Sequence, residues 1–166
     1  MLGVGKHTLK IKVLMKFFME ENFMKMKNKP IILDSNVLIA YFNEHDSLHE
    51  RAVLLVKKIE AQQKVLSDLI LAEVGTVLLT KTKQIQLIGR LLRHFVDKQT
   101  KNTALVFCTH PLFSQTLDIF SKQTSSWLSM EDCSIIAYAR HFKTTRIATF
   151  DKGLKKMFVR EFEFLG

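Results

Sequence analysis

Apolar positions along this chain follow two rhythms. Short, nearly unbroken apolar runs come first: Ile31-Ile32-Leu33, Val65-Leu66 after Lys64, Leu105-Val106-Phe107, and Arg146 to Phe150. Runs of this length suit strands buried on both faces. Between them, apolar residues recur at helical spacing. Leu48, Ala52, Leu55 and Ile59 predict one helix, and Leu69 to Leu79 a second, very apolar one. Ile85, Ile88, Leu92 and Phe95 predict a third. A fourth, entered at Pro111, is expected to bury Leu112, Phe113, Thr116, Leu117 and Phe120. A fifth carries Ile135, Ile136 and Ala139, and a short helix from about Lys152 leads to a last strand, Glu161 to Phe164. Ser47-Leu48-His49-Glu50 and Ser129-Met130-Glu131-Asp132 read as capping patterns, and Ser67 or Asp68 as the cap before Leu69.

Strands that alternate with helices predict an α/β fold with a mostly parallel sheet. The 166 residues, 47% of them hydrophobic, fit one domain with an ample core. No apolar run approaches the roughly 18 residues of a membrane span. The longest, Leu69 to Leu79, is broken by Glu73. Cys108 and Cys133 have no metal-binding spacing and form no disulfide framework. They are read as buried thiols, which fits a reducing, cytoplasmic location.

Charge is unevenly spread. The formal net charge is +9, with a pI of about 9.6, a balance that favours polyanionic partners, nucleic acid first. Seven lysines less two glutamates place +5 of it in residues 1–29. That stretch differs from the rest and is set apart from a domain spanning residues 30–166. It reads either as an amphipathic basic helix from about Leu9 to Met26 or as an upstream extension, since Met15, Met19, Met24 and Met26 offer later starts.

Four of the sixteen acids stand out by context. Asp34 ends the first strand and Asp151 a later one. Glu73 interrupts an otherwise apolar helix, and Asp132 opens another. Each has a local explanation. Asp34, Asp132 and Asp151 stand where helix caps stand, and Glu73 would suit a narrow exposed stripe. Taken jointly, they describe a cluster at one sheet rim, where parallel α/β sheets bind ligands. Clustered carboxylates raise one another's pKa, and a divalent cation relieves the conflict. Hard oxygen donors suit Mg²⁺ or Mn²⁺, a combination able to hydrolyse a phosphodiester.

Asp34-Ser35-Asn36-Val37-Leu38-Ile39, Leu71-Ala72-Glu73-Val74, Leu128-Ser129-Met130-Glu131-Asp132 with Ile135-Ile136-Ala137-Tyr138-Ala139, and Thr149-Phe150-Asp151 resemble the motifs of PIN-domain proteins. Within that family the chain is most similar to VapC-type toxin ribonucleases, from about Pro30 to the C-terminus. The resemblance implies a three-layer α/β/α sandwich and a Mg²⁺- or Mn²⁺-dependent endoribonuclease acting on RNA. It also implies a homodimer and a cognate antitoxin. Asp34, Glu73, Asp132 and Asp151 match the family's acids, with Ser35 and Thr149 as polar neighbours of the metal. Glu131, beside Asp132, departs from the pattern as a fifth acid, either a neighbour of the site or simply exposed. Cys133 stands where the family commonly has Ala.

Other motifs carry less. His45 and His49 lack the glutamate of a zinc-protease helix, and there is no phosphate-binding glycine loop. Arg140, Lys143, Arg146, Lys152, Lys155, Lys156 and Arg160 surround the last acidic motif. They would either hold RNA phosphates or form a solvated face. The alternatives to a toxin are a PIN-domain nuclease of RNA processing and a module that binds RNA or protein without cutting.

Overall fold

A computed structural model describes residues 29–97, 102–124 and 127–166. Five strands form one sheet in the order β3-β2-β1-β4-β5, every neighbouring pair parallel. They are β1 (Ile31–Leu33), β2 (Lys64–Ser67), β3 (Thr103–Val106), β4 (Arg146–Ala148) and β5 (Glu163–Leu165). Helices α1 (Ser35–Phe42) and α2 (His49–Ile59) link β1 to β2. Helices α3 (Asp68–Thr82) and α4 (Ile85–Asp97) link β2 to β3. Helices α5 (His110–Ser121) and α6 (Met130–His141) carry the chain back across the sheet to β4, and α7 (Lys152–Phe158) leads to β5.

Crossovers between parallel strands are right-handed, so steps in opposite directions across the sheet put their helices on opposite faces. Helices α1 to α4 therefore form one layer, with α1 against α2 and α3, and α3 against α4. Helices α5 to α7 form the other, with α5 packed on α6. This is the expected three-layer sandwich. The direction of winding reverses between β1 and β4, which makes the crevice at their C-terminal ends the place for a ligand.

The core is continuous through the sheet. Ile31, Ile32 and Leu33 of β1 are buried, as are Val65, Leu66, Ile147 and Ala148 of the flanking strands. On α6, seven consecutive residues from Cys133 to Ala139 are buried, because that helix covers the sheet centre with α5 on its back. Gly75 of α3 lies against Leu92 of α4; a Cβ there would come within 2.8 Å of Leu92 Cδ1. The absent side chain lets the two helices approach closely.

Several boundaries and faces differ from the sequence reading. Helix α2 begins at His49 without a side-chain cap. Asp46 closes a turn first, accepting from the Leu48 amide through Oδ1 and from the His49 amide through its carbonyl, so Ser47 lies within the turn, too early to cap. Strand β3 stops at Val106, leaving Phe107 exposed, and β5 starts two residues late, at Glu163. On α5, Leu112 and Thr116 are buried but Phe113, Leu117 and Phe120 are exposed. Two apolar stripes run side by side on α5, and packing on α6 covers one of them. Ile85 of α4 is likewise exposed, whereas Ile88 is buried. Cys133 is buried and Cys108 half-buried, both free thiols. The expectation for residues 1–28 lies outside the described residues. Among the described residues, no helix is long and apolar enough to cross a membrane.

Candidate metal centre

Asp34 is the residue immediately after β1, and its amide still donates to Ala148 O of β4 at 3.0 Å. It occupies the N-cap position of α1, yet its side chain makes no capping hydrogen bond. The carboxylate instead points across the β1–β4 crevice. Oδ2 accepts from Thr149 Oγ1 at 2.5 Å and from Asn36 Nδ2 at 2.6 Å, and Oδ1 accepts from Ser35 Oγ at 3.3 Å. With only 3% of its surface exposed, Asp34 has its pKa pushed up to about 6. Burial is the largest cause. Hydrogen bonding from Thr149 and Asn36 opposes it, and the charges of Asp132 and Glu73 add to it.

Glu73 does not face solvent on an outer stripe of α3. It is half-buried and turned toward the same rim, where burial raises its pKa, the Ser35 hydroxyl draws it back, and the charges of Glu131 and Asp132 push it up again. Its place follows from α3 itself. Ser67 caps that helix, accepting from the Ile70 amide at 3.2 Å, so the helix starts at the end of β2 and carries Glu73 along the rim.

Asp132 belongs to a complete capping box. Ser129 Oγ accepts from the Asp132 amide at 3.1 Å, and Asp132 Oδ2 accepts from the Ser129 amide at 3.0 Å. Its pKa is nonetheless raised, by burial first and then by the charges of Asp151 and Glu131, against the Ser129 hydrogen bonds. Asp151 is the N-cap of α7, its Oδ1 accepting from the Leu154 amide at 2.5 Å. Capping thus accounts for one oxygen each of Asp132 and Asp151 and for none of Asp34.

The structure brings Asp34, Glu73, Asp132, Asp151 and Glu131 into one electrostatically coupled group at the β1–β4 crevice. Among the described residues, no three of these side chains converge closely enough to grip an ion as they stand. By donor type they suit a hard divalent cation, and Oδ1 of Asp132 and Oδ2 of Asp151 lie outside the capping bonds. Two surface recesses, of about 580 and 1140 Å³, are lined by other residues.

In the sequence Asn36 appears only within the Asp34–Ile39 motif, with no role of its own. Besides holding Asp34, its Nδ2 donates to Thr149 Oγ1 at 3.1 Å and its Oδ1 accepts from the Phe150 amide at 2.9 Å. It ties the end of β1 to the end of β4 through Thr149, 113 residues further along the chain. Its place two residues after Asp34 was the available signal.

The basic residues divide. Arg140 is paired with Glu161 through two 2.8 Å bonds, and Arg146 lies 3.6 Å from Glu163. With Lys143 they occupy the end of α6 and the start of β4, at the opposite end of the sheet from the carboxylates, because a parallel strand enters at one rim and leaves at the other. Lys152, Lys155 and Lys156 lie on α7, directly after Asp151. Arg160 is exposed beyond that helix.

Residues 31–158 match the family model described as "PIN domain". Three solved structures resemble the fold. A crystal structure of VapC20 from Mycobacterium tuberculosis, a sarcin–ricin-loop-cleaving toxin, aligns with a TM-score of 0.67 at 16% identity, over 76% of this chain and 94% of that one. FitAcB from Neisseria gonorrhoeae aligns at 0.57 and 20% identity, covering 82% and 96%. VapBC2 from Rickettsia felis, bound to a DNA fragment from its promoter, aligns at 0.56 and 17%, covering 82% and 98%. No curated protein matches the chain.

Proposed function

The chain belongs to the PIN domain family, and on that premise we propose that it is a divalent-metal-dependent endoribonuclease, the toxin of a toxin–antitoxin pair. The observation that carries this reading is Asp34. A buried carboxylate at the end of a central strand, unused for capping and surrounded by other acids, destabilises the protein unless a cation compensates it. In this reading Asp34, Glu73, Asp132 and Asp151 hold Mg²⁺ or Mn²⁺. When bound, the cation lowers the pKa of a water and stabilises the leaving oxygen of a phosphodiester.

The remaining residues act on those acids. Thr149 and Asn36 orient Asp34, and Ser35 bridges Asp34 and Glu73. Glu131 adds negative charge beside Glu73 and Asp132, which tightens the hold on a cation. The net positive charge supports RNA as substrate. The likeness to toxins and toxin–antitoxin complexes supports an antitoxin partner. We extend the proposal to a homodimer, as the family resemblance implies.

The test is an RNA cleavage assay on purified protein with Mg²⁺ or Mn²⁺, with chelator, and on Asp34→Asn and Asp151→Asn. Cleavage is expected to need the metal and to vanish in both variants, along with growth arrest on expression. Full activity of Asp34→Asn in saturating Mg²⁺ sinks the reading.

A further inference from the structure

An acidic rim repels the polyanion it is proposed to cut, so a substrate strand needs positive charge close by. Arg140 and Arg146 are already paired and lie at the far end of the sheet. A different pair lies beside the carboxylates. The Arg51 guanidinium of α2 stacks over the Phe150 ring, its Cζ 5.1 Å from the ring centroid. Phe150 is the residue between Thr149 and Asp151, and its amide is held by Asn36, the residue that also holds Asp34. On the C-terminal side, Gly166 crowds the same ring; a Cβ there would lie 3.1 Å from Phe150 Cδ1 and Cε1. The platform under Arg51 is thus anchored to the β1–β4 crevice.

Lys155 of α7 is the second member. It is close enough to feel both Arg51 and Asp151, and Nζ donates to Gly166 O at 3.1 Å. Burial and then the Arg51 charge hold its pKa below the usual lysine value, against the pull of Asp151. Among the described residues, no carboxylate lies within salt-bridge distance of Arg51. Two cations kept adjacent, one without a counter-ion, favour an anion between them. A guanidinium held over a ring still has N–H donors to offer, and its fork of donors matches two phosphate oxygens.

We propose that Arg51 and Lys155, with Arg51 oriented by Phe150, form a phosphate subsite that holds the RNA backbone beside the Asp151 end of the carboxylate group. This deepens the nuclease reading and, for the identity of the strand, rests on it. Arg51 is a substrate-binding residue; Phe150 is a positioning residue.

The experiment reads binding apart from cleavage. A short fluorescein-labelled single-stranded RNA is titrated by anisotropy against Asp34→Asn protein in Mg²⁺, across a range of salt. Adding Arg51→Gln is expected to weaken binding roughly tenfold and to reduce the slope of log Kd against log salt by about 0.7, the value for one single-strand phosphate. Adding Arg51→Lys keeps the slope and loses part of the affinity. Lys57→Gln, exposed near the other end of α2, leaves both unchanged, and thermal melts show that each variant folds. In the cleaving protein, Arg51→Gln raises KM and spares kcat. An unchanged Kd and slope in Arg51→Gln, or no RNA binding by its parent at low salt, overturns the subsite. If the slope change appears but the protein with Asp34 intact does not cut RNA, the nuclease reading falls and the subsite stands.

Discussion

Thr149 and Asp34 stand 115 residues apart and share a 2.5 Å hydrogen bond from the Thr149 hydroxyl to Asp34 Oδ2. The same hydroxyl oxygen accepts from the Asp151 amide at 2.9 Å. One small side chain therefore sets the orientation of the acid after β1 and the backbone of the acid after β4.

Replacing Thr149 with Val keeps the shape and removes these bonds. The Thr149 hydroxyl's hydrogen bond helps hold the Asp34 pKa down, so Thr149→Val should raise that pKa from about 6. It should also cost about 1–3 kcal/mol, since the Asp151 amide loses its acceptor. A carboxyl NMR titration together with a denaturant melt checks both. An unmoved Asp34 titration would show that the hydrogen bond is not formed in solution.

Asp34 makes a signed forecast for stability against pH. Its folded pKa of about 6 lies above the unfolded value of 3.8, so the native state binds the extra proton between those values. Without metal, its contribution is fully present below about pH 4 and is lost as pH rises through about 6. The span is about 3 kcal/mol. Asp34→Asn should remove that dependence and raise the melting temperature of the metal-free protein at neutral pH. A variant less stable than its parent at pH 7 would contradict this.

Metal should act in the opposite sense to repulsion among the acids. Adding Mg²⁺ or Mn²⁺ at about a hundred times its dissociation constant is expected to stabilise the unmodified chain by about 2.7 kcal/mol. Asp34→Asn and Glu73→Gln should shrink that gain, and chelator should abolish it. A melting temperature indifferent to both ions would count against a metal site at this rim.

For the N-terminal segment, among the described residues β1 starts at Ile31, and the carbonyl of the preceding Pro30 accepts from Thr144 Oγ1 at 2.6 Å. A chain starting near Met26 retains all the described strands and is expected to fold and cut as well as the full chain. Light scattering, a thermal melt and the cleavage assay on that truncation test this. Aggregation or lost stability would assign the segment a part in the fold or in an interface.

Much of the architecture was legible in residue order. Strands and helices are set by local periodicity and capping chemistry, and Ser67, Ser129 and Asp151 cap the helices their positions predict. The candidate acids were legible because each breaks a local pattern. Glu73 among leucines and Asp34 after an apolar strand are conspicuous in one dimension. Which apolar stripe of α5 is covered was not legible, because Leu112 and Phe113 are equally apolar and only the position of α6 separates them. Nor was the division of the basic residues. Arg140 and Arg146 are near Asp151 in sequence but reach the opposite rim, since a strand carries the chain across the sheet. Arg51 lies about a hundred residues before Phe150 and reaches its ring through the packing of α2 beside the crevice. Hydrophobic patterning is local and survives in the sequence. The company a charged side chain keeps depends on chain crossings that bring distant residues together, and those exist only once the sheet has formed.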